Sequence, residues 1–364
     1  LRSSVALAAT LALASTGAAA QAGSGQQPPA DTGTERVTVT GRLNALPPLS
    51  GWDTPARETP VAVNSIGAGD IALTGATRLA DLVGWDSSVS DAYNAAGYID
   101  YLTVRGFVID NRYNVRRDGL PINGDTAIGL DNKAAVDILK GTSGLQAGTS
   151  APGGLVNYVV KRPLAREHGE ARLQWSSRQT MLGAVDLGGR AGVSDVFGWR
   201  LNAAQEQLRP ELKNADGQRS LMAGAFEWRL NPYAVLEVEG EWSRRSQPTQ
   251  QAFSLLGDRL PTVPDPRLNL NNQPWSLPSV FEGRTSSVRF THALWDGWRA
   301  VLQAGTQRLR TDDRVAFAYG RFDPVTYDCN PCDRFAPDGT FSVWDFRSEN
   351  EKRRSDAAQG EVMG

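Results

Sequence analysis

The apolar positions follow two different rhythms, and the change comes near Pro163. Beyond it they fall on alternate residues, in segments of about ten residues or more. Trp199, Leu201 and Ala203 oppose Arg200, Asn202 and Glu206, and Phe226, Trp228 and Leu230 oppose Glu227 and Arg229. Ala234, Leu236, Val238 and Trp242 oppose Glu237, Glu239 and Glu241. Val288, Phe290 and Leu294 oppose Arg289 and Thr291, and Trp298, Ala300 and Leu302 oppose Arg299 and Gln303. Strand side chains alternate with period two, so every segment has an apolar face and a charged face. Asn231-Pro232 and Asp296-Gly297 make tight turns, whereas residues 246–282 form a long connection rich in Pro, Asn and Ser. Short turns at one end, long loops at the other and tryptophans near segment ends (Trp228, Trp242, Trp295, Trp298) predict an antiparallel transmembrane β-barrel over 164–364. A soluble β-sandwich also alternates. Its dry core, however, could not hold rows of arginine and glutamate, which a wet lumen can.

Before Pro163 the elements are short and mixed. Val61–Ile66 alternates as a strand, and Asp70 stands as an acidic N-cap before Ile71-Ala72-Leu73. Leu79, Leu82 and Val83 share a helical face with Thr77 as cap. Tyr101–Phe107 reads as a strand that ends at a glycine, and 114–122 as a hairpin turning on Asp118-Gly119. Ala134–Gly141 and Gly154–Lys161 are further strands. The expectation is an α+β domain over 61–163.

The N-terminus adds an export signal. Arg2 precedes the apolar run Val5–Ala14, and Ala18-Ala19-Ala20 and Ala20-Gln21-Ala22 have the A-x-A form, so residues 1–22 read as a signal peptide. Residues 23–60, rich in Gly, Ser, Gln and Pro, read as a flexible linker, within which Glu35–Gly41 is a short β-prone strip. No apolar run after the leader is long enough for a membrane-crossing helix, which leaves a barrel open. A net charge of -2 over 364 residues gives no reason to expect nucleic acid. Cys329 and Cys332, in an exported chain, read as a short-loop disulfide; zinc would need ligands that His168 and His292 are not spaced to supply. The glycine-rich run from Gly141 to Gly154 lacks a phosphate-loop ending, and there is no Gly-x-Ser-x-Gly or His-Glu-x-x-His, so no enzyme and no resident cofactor are expected.

These residues resemble those of TonB-dependent outer-membrane receptors of the siderophore-receptor group. Glu35, Arg36, Val37, Thr38, Val39, Thr40 and Gly41 look like the TonB box. Leu102–Phe107 is similar to the family's strand ending in Arg-Gly-Phe, and Arg117–Ile122 resembles its Arg-Asp-Gly hairpin. Val136–Gly141, Gly144, Gly148, Ala151–Asn157 and Lys161-Arg162-Pro163 look like the end of its plug domain. Asp137 and Thr142 stand where the family more often has Glu and Pro, and Gly84-Trp85-Asp86 where a Pro-Gly pair is usual.

The resemblance implies a plug enclosed by a barrel of about 22 strands, of which 164–364 would supply about eight, so the chain is expected to be an N-terminal fragment. It implies import of a ferric siderophore across the outer membrane of a Gram-negative bacterium, with TonB, ExbB and ExbD as partners and membrane lipid around the wall. TonB would add to the box by β-augmentation. Arg105, Arg116 and Arg117 are expected to pair across the plug–barrel boundary with Glu237, Glu239 and Glu241. Tyr93, Asn94, Tyr98, Arg112 and Tyr113 are candidates for ligand contact at the outer end of the plug. Cobalamin, haem, nickel or a glycan is the alternative cargo, and a secreted β-rich hydrolase or adhesin the alternative class.

Overall fold

The computed structural model describes residues 7–11 (main chain only), 62–93, 95–141, 152–176, 179–249, 254–295, 297–329 and 332–364. In chain order the elements begin with β1 (Leu7–Leu11), β2 (Ala62–Gly67) and the helix α1 (Ala68–Thr74). A seven-residue helix cannot stand alone in water, and α1 is held at both ends. The Asp70 carboxylate accepts the Gly67 N–H at 3.3 Å, and Gly75, at φ 66°, closes the C-terminus. Asp70 is therefore the third helical residue and not the N-cap, which is Gly67. A similar correction applies to the 3-10 helix Leu79–Trp85. Asp81 accepts the Thr77 and Arg78 N–H groups at 3.0 and 3.2 Å, so the cap is this carboxylate and not the Thr77 hydroxyl.

β3 (Val89–Asp91), β4 (Leu102–Val104) and β5 (Phe107–Val108) form a three-stranded sheet. The expected strand through Phe107 instead breaks after Val104. Arg105 and Gly106 both have positive φ (53° and 82°), which turns the chain back as a hairpin. β6 (Val115–Arg117), β7 (Leu120–Pro121), β8 (Lys133–Lys140) and β9 (Gly154–Val160) join β2 in the sheet order β2-β8-β9-β6-β7. Asp118 and Gly119 turn the β6–β7 hairpin with φ of 48° and 86°. The two sheets and the helices share one core that includes Ile66, Leu82, Val104, Val136, Ile138 and Val156. Asp86 ties this domain's ends together by accepting from Lys140 at 2.6 Å and from Asn64 at 3.1 Å.

The rest is an antiparallel meander. β10 (His168–Trp175), β11 (Met181–Ala191), β12 (Phe197–Leu208), β13 (Gly217–Asn231), β14 (Ala234–Gln247), β15 (Ser279–Trp295) and β16 (Trp298–Tyr319) follow one another in space as in sequence. A small hairpin of β17 (Phe322–Asp323) and β18 (Asp328–Cys329) precedes β19 (Ser342–Met363), which pairs with β16. β1, inside the stretch that reads as a leader, lies antiparallel along β10, from Leu7 opposite Trp175 to Leu11 opposite Ala171.

This sheet is inverted relative to a soluble protein. Arg200, Glu206, Glu227, Glu237, Glu239 and Arg289 are buried, while Leu201, Phe226, Trp228 and Val238 are exposed. Neighbours Leu302 and Gln303 are 60% and 4% exposed. The buried polar face wraps the small domain, which therefore acts as a plug, and the apolar face looks outward. Only a hydrocarbon surround makes that arrangement favourable. Tight connections at 192–196, 232–233 and 296–297 mark one end of the wall; 248–278 and 320–341 are the long connections at the other.

Candidate functional site

The seam between plug and wall is ionic. Arg117, on β6, donates through Nε and Nη2 to both oxygens of Glu239 at 3.1 and 2.6 Å, and through Nη1 to Glu241 at 2.7 Å. This is the fork geometry that only arginine offers. Its guanidinium is 4% exposed. Burial opposes its charge, but the two carboxylates more than compensate and hold its pKa above the usual arginine value. Glu241 accepts in addition from Lys133 Nζ and Asn132 Nδ2, each at 2.7 Å. Burial is the larger influence on Lys133 and lowers its pKa. The third glutamate, Glu237, is met by Arg289 of the adjacent wall strand at 2.6 Å and by plug Arg162 at 3.7 Å.

The other two arginines do not take the place expected of them. Arg105 sits exposed at the tip of the β4–β5 hairpin, and among the described residues it reaches no wall carboxylate. The turn that puts φ above zero at Arg105 and Gly106 carries it away from the seam. Arg116 points back into the plug and donates to the Tyr113 carbonyl at 2.9 Å. Adjacent strand residues face opposite ways, so Arg116 and Arg117 cannot both look at the wall.

Several seam residues were not singled out from the sequence. Lys161 bonds Asp186 at 2.8 Å, and Arg200 holds the same carboxylate with two bonds of 2.8 Å. Arg219 joins plug Asp131 at 2.5 Å and also contacts Glu206. Asn123 and Gln307 exchange a main-chain N–H and a side-chain amide across the seam at 2.8 and 3.1 Å. The available signal was the charge on the inward faces: side chains such as Arg200, Glu206 and Glu227 need partners when buried, which neighbouring wall strands supply to these three and which the plug can supply to others.

At the end of the plug nearest the long connections, Tyr93 packs against Tyr101 and Tyr98 with ring centroids 5.3 and 5.5 Å apart. Tyr98 also meets the wall: its ring lies edge-on to Phe281 and its hydroxyl donates to Asp313 at 2.7 Å. Burial and Asp313 push the Tyr98 phenol well above its ordinary pKa; burial and Asp125 push that of Tyr101 up to about 12. Both stay neutral donors at any physiological pH. Arg112 and Tyr113 form a second, exposed group. Arg112 is clamped by Asp110 at 2.8 Å and lies 5.5 Å from the Tyr113 ring centroid. Asn94 and the strip Glu35–Gly41 lie outside the described residues.

The two long connections meet each other at this end of the wall. Leu256 pairs with Phe335, Arg334 bonds Asp258 at 2.7 Å, and Phe335 stacks on Phe341 at 4.4 Å. Cys329 and Cys332 are joined as a disulfide beside Asp328, which removes both as thiolate ligands for the zinc alternative.

A plug pinned by ion pairs inside a wall that is polar within and apolar without defines a plugged transmembrane β-barrel. Among the described residues, no helix is long and apolar enough to cross a membrane. Residues 55–155 match the family model "TonB-dependent Receptor Plug Domain". The chain is 26% identical over 207 residues to the ferrichrome outer membrane transporter/phage receptor of Escherichia coli K12, covering 55% of this chain and 27% of that protein. It is 35% identical over 112 residues to the metal-pseudopaline receptor of Pseudomonas aeruginosa, covering 31% of this chain and 16% of that one. Among solved structures, the ferripyoverdine receptor of the P. aeruginosa outer membrane superposes with a TM-score of 0.71 at 19% identity, covering 87% of this chain and 41% of its own. The closed form of the ferric-catecholate import receptor of E. coli K12 gives 0.73 at 19%, covering 86% and 45%. The chain thus spans less than half the length of each of these relatives. Residues 55–155 thus carry the plug domain of TonB-dependent receptors, and the chain as a whole is similar to outer-membrane receptors that contain it.

Proposed function

We propose that the receptor carrying this chain imports a ferric siderophore, with TonB, ExbB and ExbD supplying the energy through the strip Glu35–Gly41. The observation that carries this reading is the plug seam. Ion pairs in a polar lumen can be exchanged for water far more cheaply than a dry apolar interface can be opened. A plug held by Arg117, Lys133, Lys161 and Arg162 is therefore firm at rest and yet able to yield to a pull. Tyr93 and Tyr98 contribute aromatic faces and Arg112 an exposed cation, which suits an aromatic or anionic iron chelate. The ferrichrome, ferrioxamine B and ferripyoverdine specificities of similar receptors agree with such a cargo. A second reading, uptake of another metal chelate, is favoured by the 35% match to the metal-pseudopaline receptor.

The box gives the sharpest test. Pairing by β-augmentation uses main-chain N–H groups, which proline lacks. Val37→Pro with Val39→Pro is expected to reduce uptake of radio-iron on the cognate chelate to the level of a TonB-deficient strain, with surface binding retained. Normal uptake by this variant would contradict the TonB role of the strip. Iron chelates that fail to compete for binding, where chelates of another metal succeed, would select the second reading.

A further inference from the structure

Charge alone leaves the seating of the plug ambiguous. Glu237, Glu239 and Glu241 repeat at every second residue of β14. A plug displaced by one such step, roughly 7 Å along the strand, meets carboxylates again. Coulomb attraction depends on separation and not on side-chain shape, so it separates these seatings poorly. Shape has to supply the difference.

The inner face of β15, β16 and β19 offers a shape. Two adjacent rows in register carry only uncharged side chains, most of them small: Thr285, Gln307 and Ser355, then Ser287, Gly305 and Ala357. The rows on either side are longer, with Leu309 and Arg353 on one and Arg289, Gln303 and Gln359 on the other. The result is a recess with Gly305 as its floor. Leu120 of β7 fills it. A Cβ added at Gly305 would stand 2.9 Å from Leu120 Cδ1 and 3.3 Å from the Ser286 carbonyl oxygen. Leu120 is 3% exposed, and the space left around it is about 10 Å³, room for one water at most.

The hairpin that carries Leu120 is held stiffly. Asp118 accepts the Val160 N–H at 2.9 Å and contacts Arg162, and Gly119 donates its N–H to Asn157 at 3.0 Å. Leu120 also stands between two polar contacts with the wall. Arg117 meets Glu239 just before it in the chain, and Asn123 meets Gln307 just after it. A side chain that lifts Leu120 off the wall therefore disturbs both.

We propose that Leu120 and Gly305 form a size-matched key and socket, which selects one rotation and height of the plug among those that the charges would accept. Gly305 is then a positioning residue: it touches no cargo, and acts through the hairpin that Leu120 anchors. The inference rests on the plugged-wall reading and not on the identity of the cargo.

The test uses the complete receptor carrying this chain, in its own outer membrane. The readout is the sensitivity of the cells to a large glycopeptide antibiotic that a sealed outer membrane excludes, normalised to the amount of receptor at the surface. Gly305→Val is expected to raise sensitivity at least fourfold, because the added methyl groups displace the key. Leu120→Ala should raise it at least twofold, because the socket is left empty. The double variant G305V/L120A should recover at least half of the lost exclusion, since the valine occupies the space that the leucine gave up. Gly240→Val, on the same wall with nothing within 4 Å of an added carbon, should behave as wild type. Defects that do not offset each other in the double variant would overturn the proposal, as would wild-type exclusion in both single variants. Should Gly305→Val fail to accumulate, Leu120→Ala decides alone, because it leaves the wall untouched: exclusion equal to wild type would overturn the proposal.

Discussion

Arg117→Ala is expected to destabilise the seating of the plug by about 3–5 kcal/mol, because it strands the buried Glu239 carboxylate and takes from Glu241 one of its two cations. Glu239 would lose both of its Arg117 bonds, and Glu241 would keep only Lys133 and Asn132. The ion pair itself adds little net stability over an apolar equivalent, since desolvation cancels most of the attraction. What is costly is half of it. The measurement is hydrogen exchange over residues 62–161 in the intact receptor. Protection should fall in Arg117→Ala, while the β13–β14–β15 ladder keeps its protection. Arg117→Lys should restore only part, since an ammonium cannot form the two-pronged contact with Glu239 while reaching Glu241. Unchanged protection in Arg117→Ala would show that the seam does not hold the plug.

A comparably large effect is expected from Gly154→Ala. Gly154 has φ 139°, and a Cβ there would lie 1.9 Å from the Leu139 carbonyl oxygen. That contact is backbone to backbone, across the β8–β9 ladder where Gly154 pairs with Lys140. No side chain can move aside. The strained φ costs about 1–3 kcal/mol, and the clash must add a shift of the ladder of similar cost. The receptor should then accumulate poorly, with its plug open to protease. Gly84→Ala is the control, with nothing within 4 Å of the added carbon and no positive φ. Normal accumulation and a protected plug in Gly154→Ala would mean that the β8–β9 ladder does not press Gly154 against Leu139.

The wall was legible because its information is local. Period-two alternation puts Glu237, Glu239 and Glu241 on one face whatever their partners are. The hairpin on Asp118-Gly119 was legible for the same reason, since positive φ at consecutive turn residues is a property of those residues. Arg105-Gly106 obeys that rule too, and reading it as the end of a strand misplaced Arg105. The partners across the seam were less legible. Arg117 and Glu239 are 122 residues apart, and Lys133 and Glu241 are 108 apart. Their meeting depends on the rotation of the plug within the wall, which no local pattern encodes. Lys133, Lys161, Arg162 and Asp131 consequently escaped notice as seam residues, although each bridges plug and wall just as Arg117 does. Tyr101 was missed beside Tyr93 and Tyr98 because it begins a strand and reads as packing.

The inverted wall is tested most directly by single cysteines placed in turn at positions 235–239, labelled in intact outer membranes with a lipid-soluble and a water-soluble maleimide. Positions 236 and 238, whose native side chains face outward, should react with the lipid-soluble reagent alone. Positions 237 and 239, covered by the plug, should react with neither. Labelling of 237 and 239 by the water-soluble reagent, with 236 and 238 silent, would contradict the account and point to a soluble sheet with its charges outside.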